Sequence, residues 1–101
     1  MEGEITVVSD SFKMVIANIY SLPNGPVVTG VIETGTVRVG DSLSLAGANG
    51  HFPVQVIFIQ RFQKSLDIAQ VGPEPVGLTL SGIDRDQIKN RDVLIGKENR
   101  P

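Results

Sequence analysis

Glycines at positions 25, 30, 35 and 40 recur every five residues through the stretch Asn24 to Asp41, with β-branched pairs and triplets between them. A residue without a Cβ turns the chain through φ > 0 at no steric cost, so this spacing punctuates short strands with tight turns. Such a pattern predicts a small β-barrel. Asn24-Gly25 is a strong hairpin signal, and Glu33-Thr34-Gly35-Thr36 reads as a second tight turn with Gly at the left-handed position.

The remaining segments read as closing that barrel. Ile5 to Val8 is a short apolar run that predicts a strand, followed by a turn at Ser9-Asp10-Ser11. Phe12 to Tyr20 reads as a long strand with Phe12, Met14, Ile16 and Tyr20 on one face, because turn chemistry follows it and β-branched residues disfavour the helical alternative. Val27 to Glu33, Thr36 to Val39 and Ser42 to Leu45 are three short strands, the last with Leu43 and Leu45 inward. Gly40-Asp41 marks a bulge or corner, and Ala46 to Phe52 reads as a small-residue loop.

Val54 to Phe62 is the most hydrophobic strand, and strict alternation puts Val54, Val56, Phe58 and Phe62 on the barrel face. Ile57 and Ile59 then point outward, covered by a neighbouring loop or forming the contact patch of a protein partner. Gln63 to Val71 reads as a loop with Leu66, Ile68 and Ala69 as plugs. Val76 to Leu80 is a further strand. Asp84-Arg85-Asp86-Gln87 has the form of a capping box for one helical turn through Ile88, and Val93 to Ile95 closes the sheet.

A chain of 101 residues predicts one domain. With no cysteine there is no disulfide framework, thiolate nucleophile or cysteine-ligated metal, and the expected setting is cytoplasmic. Nine basic against eleven acidic side chains leave a net charge of −2, so no overall positive field draws the chain to nucleic acid, and DNA is not an expected partner. No apolar run approaches the roughly 20 residues of a membrane helix.

Catalytic signatures are weak. His51 is the single histidine and sits in the predicted loop, without a nucleophile or orienting group beside it in sequence. Asp84 and Asp86 are better explained by capping than as metal ligands, and no metal or other cofactor is expected. Gly25 to Gly30 has the glycine spacing of a phosphate-binding loop, but Val31 stands where that loop needs lysine. The expectation is a chain that is not an enzyme.

Taken together, several segments carry a resemblance. Val27 to Asp41, Lys64 to Gly72, Val76-Gly77-Leu78 with Ser81-Gly82-Ile83, and Ile88 to Leu94 look like the second domain of translational GTPases, closest to elongation factor Tu, in the right order and at nearly the right separations. The resemblance implies an all-β fold, a closed six-stranded antiparallel Greek-key barrel over residues 12–96. Residues 1–11 are then an extension with a short strand, and 97–101 a polar tail.

It also implies a binding role. In elongation factor Tu this barrel helps hold the aminoacylated 3′ end of transfer RNA, and in related factors it touches the ribosome. The matching positions here make Leu22, Val27, Gln60, Arg61, Lys64 and Thr79 the candidate RNA contacts. Gln60 replaces a family glutamate, Thr79 an apolar wall residue, and Thr34, Gln63 and Ser81 family arginines. Arg85, Lys89 and Arg91 would extend the basic surface. The alternative is a protein-interaction module that has lost the RNA pocket and uses Ile57 and Ile59.

Overall fold

The computed structural model describes residues 12–96; the expected strand at Ile5 to Val8 and the polar tail lie outside them. Eleven strands make up nearly all of the regular structure. They are β1 (Lys13–Val15), β2 (Asn18–Leu22), β3 (Gly25–Gly30), β4 (Ile32–Thr34), β5 (Thr36–Arg38), β6 (Ser42–Gly47), β7 (Gly50–Arg61), β8 (Lys64–Leu66), β9 (Ile68–Gln70), β10 (Val76–Ser81) and β11 (Val93–Gly96). A single turn of 3-10 helix, Arg85–Gln87, lies between β10 and β11. Among the described residues, no helix is long and apolar enough to cross a membrane.

All pairings are antiparallel, and the main ladder runs β2-β3-β10-β7-β6-β11-β1-β4, with β8 added to β7 and β5-β9 forming a separate two-stranded sheet. The ladder is a path with β2 and β4 at its ends, rather than a ring of six paired strands. Two of the expected strands are each split. Phe12 to Tyr20 breaks at Ile16-Ala17, and Val27 to Glu33 breaks at Val31.

The first break reverses a side-chain face. Ile16 donates its N–H to the Asp92 carbonyl (2.8 Å) and accepts from Arg91 N–H (2.8 Å), whereas the next residue, Ala17, donates to the Thr29 carbonyl (2.7 Å). The backbone therefore changes partner within one residue. Phe12, Met14 and Ile16 are buried as the alternation predicts, but Tyr20 is 51% exposed and Ile19 takes the inward position. Gly30 serves the same corner: a Cβ there would collide with the Val15 carbonyl, so only glycine lets the two segments approach.

A second reversal lies in β7. Against β10, Phe58 opposes Thr79 and Val56 opposes Leu80, which leaves Ile57 without a counterpart. This bulge advances the alternation by one residue. Val54 and Val56 face the core as expected; beyond the bulge Ile59 is completely buried, while Phe58 is 40% and Phe62 69% exposed. The expected outward placement of Ile59 and inward placement of Phe58 and Phe62 are thus corrected.

Turn chemistry accounts for most of the remaining connections. Leu22 opposes Gly25, so the hairpin turn is Pro23-Asn24 with Gly25 at φ 133° just after it. Gly35, at φ 77°, sends the chain off the main ladder into β5. Gly40, at φ 97°, forms the corner before β6, where the Asp41 carboxylate accepts the Arg38 N–H at 2.9 Å and the Gly40 N–H reaches the Val56 carbonyl at 2.7 Å.

Two expected loops are structured instead. Ala46 to Phe52 continues both strands to a two-residue turn at Ala48-Asn49, with Gly47 opposite Gly50. Gln63 to Val71 contains β8 and β9, of which Ala69 is buried, Leu66 half-buried and Ile68 exposed. Small and polar side chains hide both stretches from a reading by hydrophobic periodicity. The helical turn forms as expected, with the Asp84 N–H donating to Gln87 Oε1 at 2.9 Å. Leu43 and Leu45 are buried, also as expected.

The core is a single apolar cluster to which nearly every strand contributes, including Met14, Val28, Leu45, Ile59, Leu78 and Leu94. Truncating Ile59 to alanine should therefore destabilise the fold by about 2 to 4 kcal/mol in urea denaturation, whereas Ile57→Ala should cost under about 1 kcal/mol. Equal costs would contradict the bulge.

Candidate functional site

The outer face of β2, β3, β10 and β7 forms the site. Register across these four strands lines up Asn18, Thr29, Gly77 and Gln60 as one row, and Tyr20, Val27, Thr79 and Phe58 as the next. The intervening residues Ile19, Val28, Leu78 and Ile59 belong to the core, so alternation turns both rows away from it. Val27 and Thr79 are each only 6% exposed despite facing outward. Thr79 is the floor of a small hollow, and Val27 that of the larger depression beside it.

That depression is a groove of about 640 Å³, walled by β2 and β3 on one side and by the end of β7 with Pro75 to Gly77 on the other. A smaller hollow of about 340 Å³, lined by Leu22, Asn24, Ile57, Phe58, Gln60 and Thr79, adjoins it, and Leu22 and Gln60 line both. Gly77 lies in the middle of the first row and presents no side chain, which deepens the groove between Thr29 and Gln60.

The lining is mainly apolar and aromatic, with Tyr20, Leu22, Val31 and Phe62 all substantially exposed around it. Among the described residues it has no carboxylate, and Arg61 is its single charged side chain. Arg61 is half-buried, and its Nε is enclosed without a hydrogen-bond partner. The guanidinium makes this end of the groove electropositive.

The turn beyond Arg61 is strained. Arg61 opposes Lys64, and the two residues between them, Phe62 and Gln63, both have left-handed backbones at φ 51° and 67°. A two-residue turn of this type is best served by Asn-Gly, and a bulky residue in its place costs on the order of 1 to 2 kcal/mol.

Of the residues expected from sequence, Leu22, Val27, Gln60 and Arg61 meet in the groove, and Leu22, Gln60 and Thr79 meet in the adjoining hollow. Lys64 stands opposite Arg61 in the hairpin, outside the lining of either. Arg85, Lys89 and Arg91 lie exposed in the connection from β10 to β11. Of the two expected partner contacts, Ile57 lines the hollow and Ile59 is core.

Tyr20, Phe58 and Phe62 were not singled out for this surface, because uninterrupted alternation assigns all three to the interior. Their register against neighbouring strands was the missing signal. His51 lies in β7, exposed and opposite Ala46. Among the described residues, no group of three or more His, Cys, Asp or Glu side chains is placed to hold a metal ion.

This antiparallel architecture, with a groove on the face of β2, β3, β10 and β7, is that of a translation-factor β-domain. Residues 25–95 match the family model for elongation factor Tu domain 2, and the chain belongs to that family. Among solved structures, translation elongation factor SelB from Methanococcus maripaludis in its apo form is similar, with a TM-score of 0.77 and 34% sequence identity. The match covers 86% of this chain and 19% of the SelB chain, so this chain spans about a fifth of that protein's length.

The groove floor can be altered without disturbing the core. A Cβ at Gly77 would meet Val27 Cγ1 at 3.6 Å and Thr29 Cγ2 at 3.7 Å, ordinary contacts at a position with no left-handed backbone. Gly77→Ala should therefore raise stability by about 0.4 to 1 kcal/mol through the unfolded state while making the groove shallower. A fall in stability in the same urea titration would show that the floor is more tightly closed than this geometry.

Proposed function

We propose that this chain is a non-catalytic RNA-contact module of the translation apparatus, taking the end of a transfer RNA or a segment of ribosomal RNA in the groove, without GTPase activity of its own. The observation that carries this reading is the groove itself: apolar and aromatic walls, amides at Gln60 and Gln63, and Arg61 as the one charge. Nucleotides are held on proteins by such a combination, with base faces on aromatic and aliphatic side chains, hydroxyls on amides and phosphates on arginine. Membership of the elongation factor Tu domain 2 family supports the reading, and a cytosolic site of action goes with it.

The same reading carries a finer view of the fold, with residues 12–96 as one closed Greek-key barrel. Joining β1 with β2 and β3 with β4 gives, with β6, β7, β10 and β11, six chain segments. The two ends of the ladder, β2 and β4, fall in the segments β1-β2 and β3-β4, which supports a sheet that closes on itself.

A protein partner is the second reading, favoured by the exposed apolar side chains Leu22, Ile57, Phe58 and Phe62 and by the net charge of −2. Titration of the protein with total transfer RNA and with ribosomal subunits at two salt concentrations separates the two. RNA contact predicts saturable binding that weakens with salt and weakens again, by about threefold to tenfold, on Arg61→Ala. Absence of binding at low salt would move the assignment to a protein partner.

A further inference from the structure

The sheet has one long free edge. Among the described residues, β2 pairs with β3 alone, so its other side carries no strand. Leu22 opposes Gly25 across the two-residue turn, and Ser21 opposes Pro26, which has no N–H to give. Bonded and non-bonded pairs alternate along an antiparallel ladder, so Asn18, Tyr20 and Leu22 bond to β3 while the backbone groups of Ile19 and Ser21 point to the free side. Arg91 and Asp92 occupy that side at Ile16, and the 3-10 turn lies beside β2, but no ladder continues from them.

Other edges in this fold are blunted, and this one is not. β4, β5, β8 and β9 also pair on one side only among the described residues, but each has three residues, and Glu33, Arg38 and Lys64 put charges on the first three. Short edges and charged side chains are the usual devices against strand addition. β2 has five residues, Asn18-Ile19-Tyr20-Ser21-Leu22, with no charge and no proline. Tyr20 and Leu22 are 51% and 54% exposed.

We propose that the β2 edge is a self-association site, on which β2 of a second copy adds antiparallel with Tyr20 at the two-fold axis. A second copy is the occupant because the strand complements itself. It is uncharged, so no like charges meet, and in this register the edge-directed N–H and C=O groups of Ile19 and Ser21 are exchanged between the copies. Tyr20 then stands beside the second copy's Tyr20 in a non-bonded pair, where side chains come closest, and Leu22 beside its Asn18. All three side chains line the groove, so the outer rows of the two copies join and both grooves open on the same side of the dimer. The inference goes beyond the RNA-contact reading and stands whatever ligand the groove takes.

With one short strand from each copy the contact is smaller than the roughly 1,200 Å² of standard interfaces, so dimerisation is expected at about 10 to 500 µM. Sedimentation through a concentration series spanning that range tests the assignment, with amide hydrogen exchange at Ile19 and Ser21 as the mark of location. The expected result is a monomer that becomes a dimer as concentration rises, its Ile19 and Ser21 amides gaining protection in step. Ser21→Pro removes one edge-directed N–H and no bond to β3, so it should weaken the dimer about tenfold or more while the melting temperature of the dilute protein holds. Tyr20→Lys sets two like charges against each other at the axis and should weaken it as much, and it decides the matter where Ser21→Pro fails to fold.

A protein that stays monomeric throughout, leaving the edge to a strand of some other partner, would overturn the proposal. So would a dimer that forms equally well in Tyr20→Lys, or one whose Ile19 and Ser21 amides exchange as fast as those of the monomer.

Discussion

The exchange of hydrogen-bond partners at Ile16-Ala17 is the constraint on which the rest of the structure depends. One residue is tied to the segment before β11, through the Asp92 carbonyl and the Arg91 N–H, and the next to β3 through the Thr29 carbonyl. β1 and β2 thereby enter the ladder at opposite places while remaining one continuous chain. The change of partner also rotates the side chains, so Ile16 completes the core and Tyr20 is delivered to the outer face. Gly30 makes the crossing possible, since any Cβ at that position would occupy the space of the Val15 carbonyl.

The bulge at Ile57 does the same for β7. Without it, Phe58 would be directed at the core, and the row Tyr20, Val27, Thr79 and Phe58 could not form. An apolar core strand and an aromatic groove wall are thus built from one hydrophobic run, with a single unpaired residue separating the two uses. Stability and site are consequently coupled through register rather than through shared side chains. Ile59 packs inward beneath the same stretch of β7 that presents Phe58 and Gln60 outward.

Chemistry in the groove comes from departures rather than from a motif. The resemblance to elongation factor Tu puts a glutamate at the place of Gln60, and a glutamate there would have offered Arg61 a counter-charge. With Gln60 in its place the lining holds one cation and no anion among the described residues, in a chain whose net charge is −2. The electrostatic sign of the groove is therefore opposite to that of the molecule as a whole. Composition alone gives the sign of the whole molecule, and only the local arrangement gives that of the groove.

Much of this protein was legible in its residues. Recurrent glycines at the turns, β-branched runs between them, and the Asp84 to Gln87 cap are local features, and Gly25, Gly35 and Gly40 all adopt the positive φ that their spacing implied. The resemblance made Leu22, Val27, Gln60, Arg61 and Thr79 candidate contacts, and in the fold they line the groove or the hollow beside it. Tertiary structure alone decided which way Tyr20, Phe58, Ile59 and Phe62 face. The side chain of a strand alternates with period two only while pairing continues without interruption, and a partner switch or a bulge shifts every later residue to the opposite side. Such shifts are set by hydrogen bonds to strands distant in sequence, so no local pattern announces them.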